Sequence, residues 1–328
     1  MALTVAYYDA SMEAQWDDFV LNKSMNGTFL QTRKFINYHP EGRFLDRSLC
    51  IKKGNELVAT VMGCQLMDEG KRIFFAHKGS TFGGITVSEK IYSASAINEL
   101  MEVLHAFFQE AGFEKIYLKM VPTAYQKGNT DLLDYFLYKN GYTCYNELNY
   151  FMHLDRYRTD VISQFSSSKR RDYRYSLKNP LQFKLLETQE EIAQFYEVLK
   201  LNLAKLNLHA VHSLEDLYNL KFNRFDDQIQ FYGVYLEEQM IAGSMIFVFD
   251  GRIFHTQYLS SDEQYLKMFP MDFLITNLIQ AAVDQNMELF SFGICTEDQG
   301  RYLNLGLSRF KEGFGTEFCI NRSYEKEL

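Results

Sequence analysis

Apolar positions recur along this chain with two periods, near 3.6 residues in some stretches and two in others, and the order of those stretches repeats. Residues 12–21 place Trp16, Phe19 and Val20 on one side of a helix. Asn26-Gly27 interrupts that pattern, and residues 29–38 read as a second short helix. Alternation over 48–52 and 56–65, about the turn Lys53-Gly54-Asn55, predicts a β-hairpin. A strand over 72–76, an amphipathic helix over 94–111 ended by Gly112, a strand over 115–120, a helix over 131–139 stopped by Gly141 and a strand over 148–154 complete the first half.

The second half runs through the same order. It predicts helices over 190–208 and 214–223, then a hairpin of 229–236 and 240–249 turned by Glu237-Glu238-Gln239. A strand over 253–259, a helix over 271–284, a strand over 289–293, a helix over 303–310 and a strand over 317–321 follow. Such mixed order predicts an α/β (α+β mixed) fold with central mixed sheets flanked by helices. A length of 328 residues suits two domains, drawn at 1–157 and 158–328, the second opening with a basic segment at 166–179.

The repeat is visible residue by residue. Residues 292–315 read FGICTEDQGRYLNLGLSRFKEGFG, and residues 128–142 read GNTDLLDYFLYKNGY. Gly128, Lys139 and Gly141 match Gly300, Lys311 and Gly313 at one constant offset, with Tyr138 and Tyr142 where Phe310 and Phe314 stand.

Composition narrows the function classes. A net charge of −8 argues against a general nucleic-acid binder, which needs a broad basic face. Five scattered cysteines without a C-x-x-C pair read as reduced thiols, not as a disulfide frame or zinc site. No apolar run approaches 18 residues, and the first residues carry acids instead of a signal segment. The expectation is a soluble cytoplasmic protein with no membrane span, no DNA partner and no metal.

The element order, the hairpin residues Leu57-Val58-Ala59 and the run Phe136-Leu137-Tyr138-Lys139-Asn140-Gly141-Tyr142 resemble the GNAT acyltransferase fold. The two-copy arrangement resembles the Fem peptidyltransferase group and its acetyltransferase relatives in cell-envelope polysaccharide pathways. It carries Ser167-Ser168-Lys169-Arg170-Arg171-Asp172-Tyr173-Arg174 between the copies and Phe310-Lys311-Glu312-Gly313-Phe314-Gly315 near the end. Two tandem GNAT-like domains are the fold this resemblance implies.

The basic segment holds Lys169, Arg170, Arg171, Arg174 and Lys178 against Asp172 alone, a candidate anion site because guanidinium forks match phosphate oxygens in pairs. A helix opening at Ser166 or Ser167 would add free N–H groups. The same block also reads as a solvated linker. By resemblance, arginine here holds the diphosphate of a nucleotide-linked substrate. The resemblance further implies that the amide of Phe310 or Lys311 and the Lys311 cation stabilise an oxyanion as an acyl carbonyl is attacked. Against this stands an exposed helix-end lysine favoured by the dipole.

Glu297 and Asp298 follow a strand end, where they could deprotonate an incoming amine or cap a helix starting near Gly300. Asn304 could bind ligand or face solvent. Strand alternation would put His255 and Gln257 on one face and Thr256 and Tyr258 on the other. His209 and His212 lack a third ligand, so a surface location is expected. The loop 78–84 lacks the P-loop and dinucleotide patterns; by resemblance, Phe82, Gly83 and Gly84 line an acceptor groove. Neither half supplies the glycine-rich pyrophosphate loop that acetyl-CoA-dependent GNAT enzymes carry.

The function expected is therefore an N-acyl or aminoacyl transferase acting on an amine acceptor, such as a nucleotide-linked sugar or cell-envelope precursor. Its donor would be acyl-CoA or aminoacyl-tRNA, with no tightly bound cofactor. The alternatives are an acetyl-CoA-dependent N-acetyltransferase and a non-catalytic binding protein that retains the fold.

Overall fold

In the computed structural model, which describes residues 2–205 and 207–328, both hairpins and the long amphipathic helices form where the periodicity places them. The chain condenses into two units. One takes the residues up to Leu148 together with Glu297–Tyr302 and Cys319–Leu328; the other takes Asn149–Thr296 and Leu303–Phe318.

In the first unit, β1 (Leu3–Tyr7), α1 (Glu13–Asp18), α2 (Arg33–Ile36) and β2 (Leu45–Asp46) precede the hairpin of β3 (Leu49–Lys53) and β4 (Glu56–Val61). Then come β5 (Cys64–Asp68), β6 (Lys71–Ala76), β7 (Ile85–Val87), α3 (Ala94–Glu110), β8 (Lys115–Lys119), α4 (Asp131–Lys139) and the start of β9 (Thr143–His153). Strands β1, β3, β4 and β7 form one antiparallel sheet. In a second sheet β6 and β8 pair in parallel, with β5 beyond β6 and the end of β17 (Glu317–Glu327) antiparallel to β8. The last strand of the chain is thus part of the first unit from Cys319 on.

Helix α3 starts at Ser93, whose hydroxyl accepts from the Ala96 amide, the interaction that favours serine at an N-cap. It buries Ile97, Leu100, Met101, Leu104 and Phe108, one stripe at helical spacing. These meet Phe74, Ile116 and Leu118 of the sheet in one core. Each such side chain contributes roughly 1.5–3 kcal/mol on leaving water.

The second unit contains α5 (Ser167–Ser176), β10 (Leu181–Leu186), α6 (Gln189–Ala204), α7 (Leu214–Tyr218), β11 (Ile229–Leu236), β12 (Gln239–Phe249) and β13 (Ile253–Ser261). It continues with α8 (Pro270–Asp284), β14 (Leu289–Ile294) and α9 (Leu305–Glu312); between the last two, β15 (Thr296–Glu297) and β16 (Tyr302–Leu303) form a short hairpin. The sheet order is β10-β11-β12-β13-β14-β9, antiparallel except for the β13–β14 pair. Helix α8 buries Phe273, Leu274, Ile275, Leu278, Ile279 and Ala282, so it is apolar on most of its circumference and central to this unit. Among the described residues, no helix is long and apolar enough to cross a membrane. The mixed α/β class expected from the periodicity is the one observed.

Three local expectations are overturned. The last helix starts at Leu305, not near Gly300, because Asn304 caps it: its Oδ1 accepts from the Leu307 amide at 3.0 Å. Asp298 and Gln299 cap nothing there; both take left-handed φ values, 48° and 54°, in the hairpin between β15 and β16. Strand alternation also fails after Thr256. Tyr258 pairs with Met245 and Thr256 with Ile246, so Gln257 is an extra residue. Such a bulge resets the two-residue period and brings Tyr258 onto the face of His255, opposite to the expectation for Tyr258. Finally, His212 is buried, not on the surface, and its Nδ1 lies 2.7 Å from the Tyr258 hydroxyl.

Candidate active site

Strands β13 and β14 pair over three positions only, Ile253 to His255 against Leu289 to Ser291. Beyond that, β13 runs on to Ser261 beside β12, while β14 stays with β9 through Ile294. The two parallel strands therefore part toward their C-terminal ends, and among the described residues no strand fills the gap between them. Such a gap at the carboxyl ends of parallel strands is where α/β sheets take ligands.

Lys311 points to the end of β14. Its ammonium donates to the carbonyl oxygens of Gly293 at 3.0 Å and Ile294 at 2.6 Å. Gly293 can offer its carbonyl this way because the strand is irregular there, with a register shift between Ser291 and Gly293 and a φ of 72° at the glycine. Lys311 is 3% exposed, and this burial lowers its pKa to about 8, an effect the neighbouring Cys295 opposes. The exposed helix-end reading fits Lys139 instead: it lies on the surface and donates to Asn98 Oδ1 at 2.8 Å.

Other groups surround this amine. His255 Nδ1 is 3.2 Å from Ser291 Oγ. Desolvation first, and then the charge of Lys311, push His255 down to about 3, so its imidazole is neutral at ordinary pH. Cys295 is buried and hydrogen-bonded to the Tyr150 hydroxyl; burial raises its thiol pKa. Tyr150 Oη is 2.6 Å from Ser308 Oγ and donates to Glu312 Oε1 at 3.1 Å, and Ser308 donates to the same carboxylate at 2.9 Å. Spacing hints at the Ser308–Glu312 contact, since residues four apart share a helix face. Tyr150 of β9 and Cys295, just after β14, are distant in sequence, and no sequence signal marks them.

Phe310 is half-buried, with the Lys169 ammonium 4.1 Å from its ring centre and 5.0 Å from that of Phe314. That ammonium also pairs with Asp272 Oδ1 at 2.7 Å. Gly313 makes room for it, because a Cβ there would come within 2.7 Å of Lys169 Cγ. Helix α5 does open at Ser166, whose Oγ accepts from the Lys169 amide. Its two sides differ. Lys169 and Ser176 turn inward, whereas Arg171 and Arg174 are exposed and Arg170 is half-buried. Arg171 pairs with its neighbour Asp172 at 3.1 Å.

The second unit thus brings Lys311, Phe310, His255 and Lys169 to one neighbourhood. Tyr258 engages His212, and Asn304 caps α9. Glu297 and Asp298 belong to the first unit, as do Phe82, Gly83 and Gly84. Phe82 is buried against Tyr125. The Gly83 amide donates to Lys119 O, its carbonyl accepts from Gln31 Nε2, and Gly84 has a φ of 66°. Among the described residues no group of histidines, cysteines and carboxylates could hold a metal ion.

Residues 163–312 match the model of the acetyltransferase (GNAT) domain. No curated protein matches the chain by sequence. Solved structures do. FemX has a TM-score of 0.72 at 13% identity, covering 99% of this chain and 97% of its own. A tandem GNAT protein from the clavulanic acid biosynthesis pathway has a TM-score of 0.59 at 9% identity, covering 99% and 98%. The C-terminal domain of a putative lysylphosphatidylglycerol synthetase from Agrobacterium fabrum has 0.59 at 12% identity, covering 86% and 84%. The gap between parallel strands, with the lysine at its end, therefore lies inside the segment that matches the acetyltransferase (GNAT) domain, in a chain whose fold is similar to those of FemX and a tandem GNAT protein.

Proposed function

We propose that the protein is an N-acyl or aminoacyl transferase whose chemistry occurs where β13 and β14 part. The observation that carries this reading is the Lys311 ammonium, buried and held by two carbonyls at the end of β14. The acceptor amine attacks the acyl carbonyl; the C–N bond forms, negative charge gathers on the carbonyl oxygen, and the bond to the leaving group breaks. A cation fixed in a dehydrated site stabilises that charge without reorganising. No covalent enzyme intermediate is required, since positioning supplies much of the barrier reduction.

The donor is an acyl-CoA or an aminoacyl-tRNA, and the first turn of α8 favours the second. In place of glycines, this turn carries Pro270 and the Asp272 carboxylate, after a left-handed Phe269. A carboxylate there competes with a pyrophosphate for the helix N-terminus. The exposed Arg171 and Arg174, with Arg170 beside them, supply cations for a phosphate-bearing acceptor, such as a nucleotide-linked sugar or cell-envelope precursor.

The test pairs acetyl-CoA and charged tRNA with UDP-linked amino sugars and simple amines, using mass spectrometry to detect N-acylation. Wild type should acylate at least one acceptor, and Lys311→Met should slow that reaction by roughly 10²–10³-fold, the typical loss for an oxyanion-stabilising donor. An undiminished rate in Lys311→Met would overturn the assignment.

A further inference from the structure

We propose that the first unit carries a ligand site of its own, a cavity beside β6 and β8 that takes a small organic anion with a flat apolar body. The cavity has a volume of about 700 Å³. Strand alternation builds it, because successive side chains leave opposite faces of a sheet. Phe74, Ile116 and Leu118 join the core under α3. Ile73, Phe75, Tyr117 and Lys119 point the other way and line the cavity, with Leu66 and Met67 of β5 beside them.

The lining combines aromatic surface with unpaired positive charge. Parallel pairing sets Phe75 beside Tyr117, and their rings stack with centres 4.7 Å apart and planes 15° apart. Lys78 and Lys119 bring two ammonium groups to the same ring, each 5.7 Å from the centre of Phe75. The other charges of the wall are matched within it or at its edge: Lys115 pairs with Glu325 at 3.0 Å, and Asp68 stands opposite Lys71 in the β5–β6 register. Among the described residues no carboxylate forms an ion pair with Lys78 or Lys119. Burial lowers the pKa of Lys119; the charge of Glu147 opposes this and that of Lys78 adds to it. A half-buried cation beside a second cation is unfavourable by itself, and an anion bound between them relieves both. The stacked rings and the adaptable Met67 then receive the apolar body.

The rest of the first unit fits a binding role. Its parallel strands do not part as β13 and β14 do: just past the last β6–β8 pair, Ala76 with Leu118, the Gly83 amide donates to the Lys119 carbonyl at 2.9 Å. Its counterpart of Lys311, Lys139, lies on the surface. Gln299, from the turn between β15 and β16, joins this unit and adds an amide to the cavity wall, able to donate and to accept.

The experiment titrates the intact protein with phenyl phosphate, benzyl alcohol and inorganic phosphate, followed by ligand-observed NMR. Phenyl phosphate should bind about tenfold or more tightly than either of the others, since one lacks the charge and the other the ring. Lys119→Met and Lys78→Met should each weaken it about tenfold, the worth of one charge-assisted hydrogen bond. Lys78→Met alters an exposed side chain and keeps the test valid if Lys119→Met folds poorly. Absence of binding, equal affinity for phenyl phosphate and either control, or unchanged affinity in Lys78→Met or a folded Lys119→Met rules the site out. Lys311→Met should bind phenyl phosphate as wild type does, so failure of the transferase reading appears separately, in the acylation assay.

Discussion

The Lys311 ammonium donates to the carbonyl oxygen of Ile294 at 2.6 Å. Lys139, at the matching place in the first copy, is exposed and reaches the side chain of Asn98. The helices carrying them close differently. Gly141 ends the first helix with a φ of 76°, whereas Gly313 stays right-handed at −59° and the left-handed residue falls two places later, at Gly315. The chain after Lys311 therefore continues inward, where Phe314 packs against Phe292 and Phe165.

This difference predicts a specific pH dependence. Lys311 has a folded pKa near 8 against 10.5 for an ordinary lysine, so the unfolded chain binds more protons between those values. Stability contributed at this position is therefore lowest below about pH 8 and rises through pH 10.5. Relative to Lys311→Met, wild type should gain up to about 3 kcal/mol over that window. Urea midpoints of both proteins at pH 7.5 and 10 check this; a constant difference between them would contradict it. Lys139→Met should change stability by less than about 0.5 kcal/mol at either pH.

The pairing of Lys169 with Asp272 makes a second prediction. Both side chains are near 10% exposed, so removing one leaves a buried charge without its counter-ion. Lys169→Ala should cost about 3 kcal/mol, and the double change Lys169→Met with Asp272→Leu should recover much of it. Chemical denaturation of the three variants decides this. A double variant as unstable as the single one would show that the ion pair itself, and not the avoidance of a lone charge, holds α5 in place.

His255 adds acid sensitivity. Its folded pKa lies near 3 and its unfolded value near 6.5. The unfolded chain thus binds more protons in that interval, and stability falls as pH drops from about 6.5 toward 3. His77 and His105, each held near 4 by burial, act in the same direction. His255→Asn should lose less stability than wild type between pH 7 and 4.5. Parallel loss in both proteins, followed by circular dichroism, would refute the assignment.

Two glycines separate backbone conformation from space. Gly300 has a φ of 85°, and a Cβ added there would sit 1.8 Å from the Asn146 carbonyl oxygen; Gly141 has a φ of 76° with open space around it. Gly141→Ala should cost about 1 kcal/mol, the left-handed penalty alone, and Gly300→Ala distinctly more, at least about 2 kcal/mol. Thermal unfolding of the two variants tests the ranking.

The residues alone determined the mixed α/β class, the duplicated order of elements and most helix and strand positions. Those follow from local periodicity and from caps such as Ser93, Ser166 and Thr188, each fixed within a few residues of chain. Only the tertiary structure decided which lysine of two equivalent ones is buried, that a bulge at Gln257 puts His255 with Tyr258, and that Tyr150, Cys295, Ser308 and Glu312 meet. Burial, register shifts and contacts between strands more than a hundred residues apart are properties of packing. A local pattern can name the side chains that carry chemistry, but packing sets their solvation and their partners.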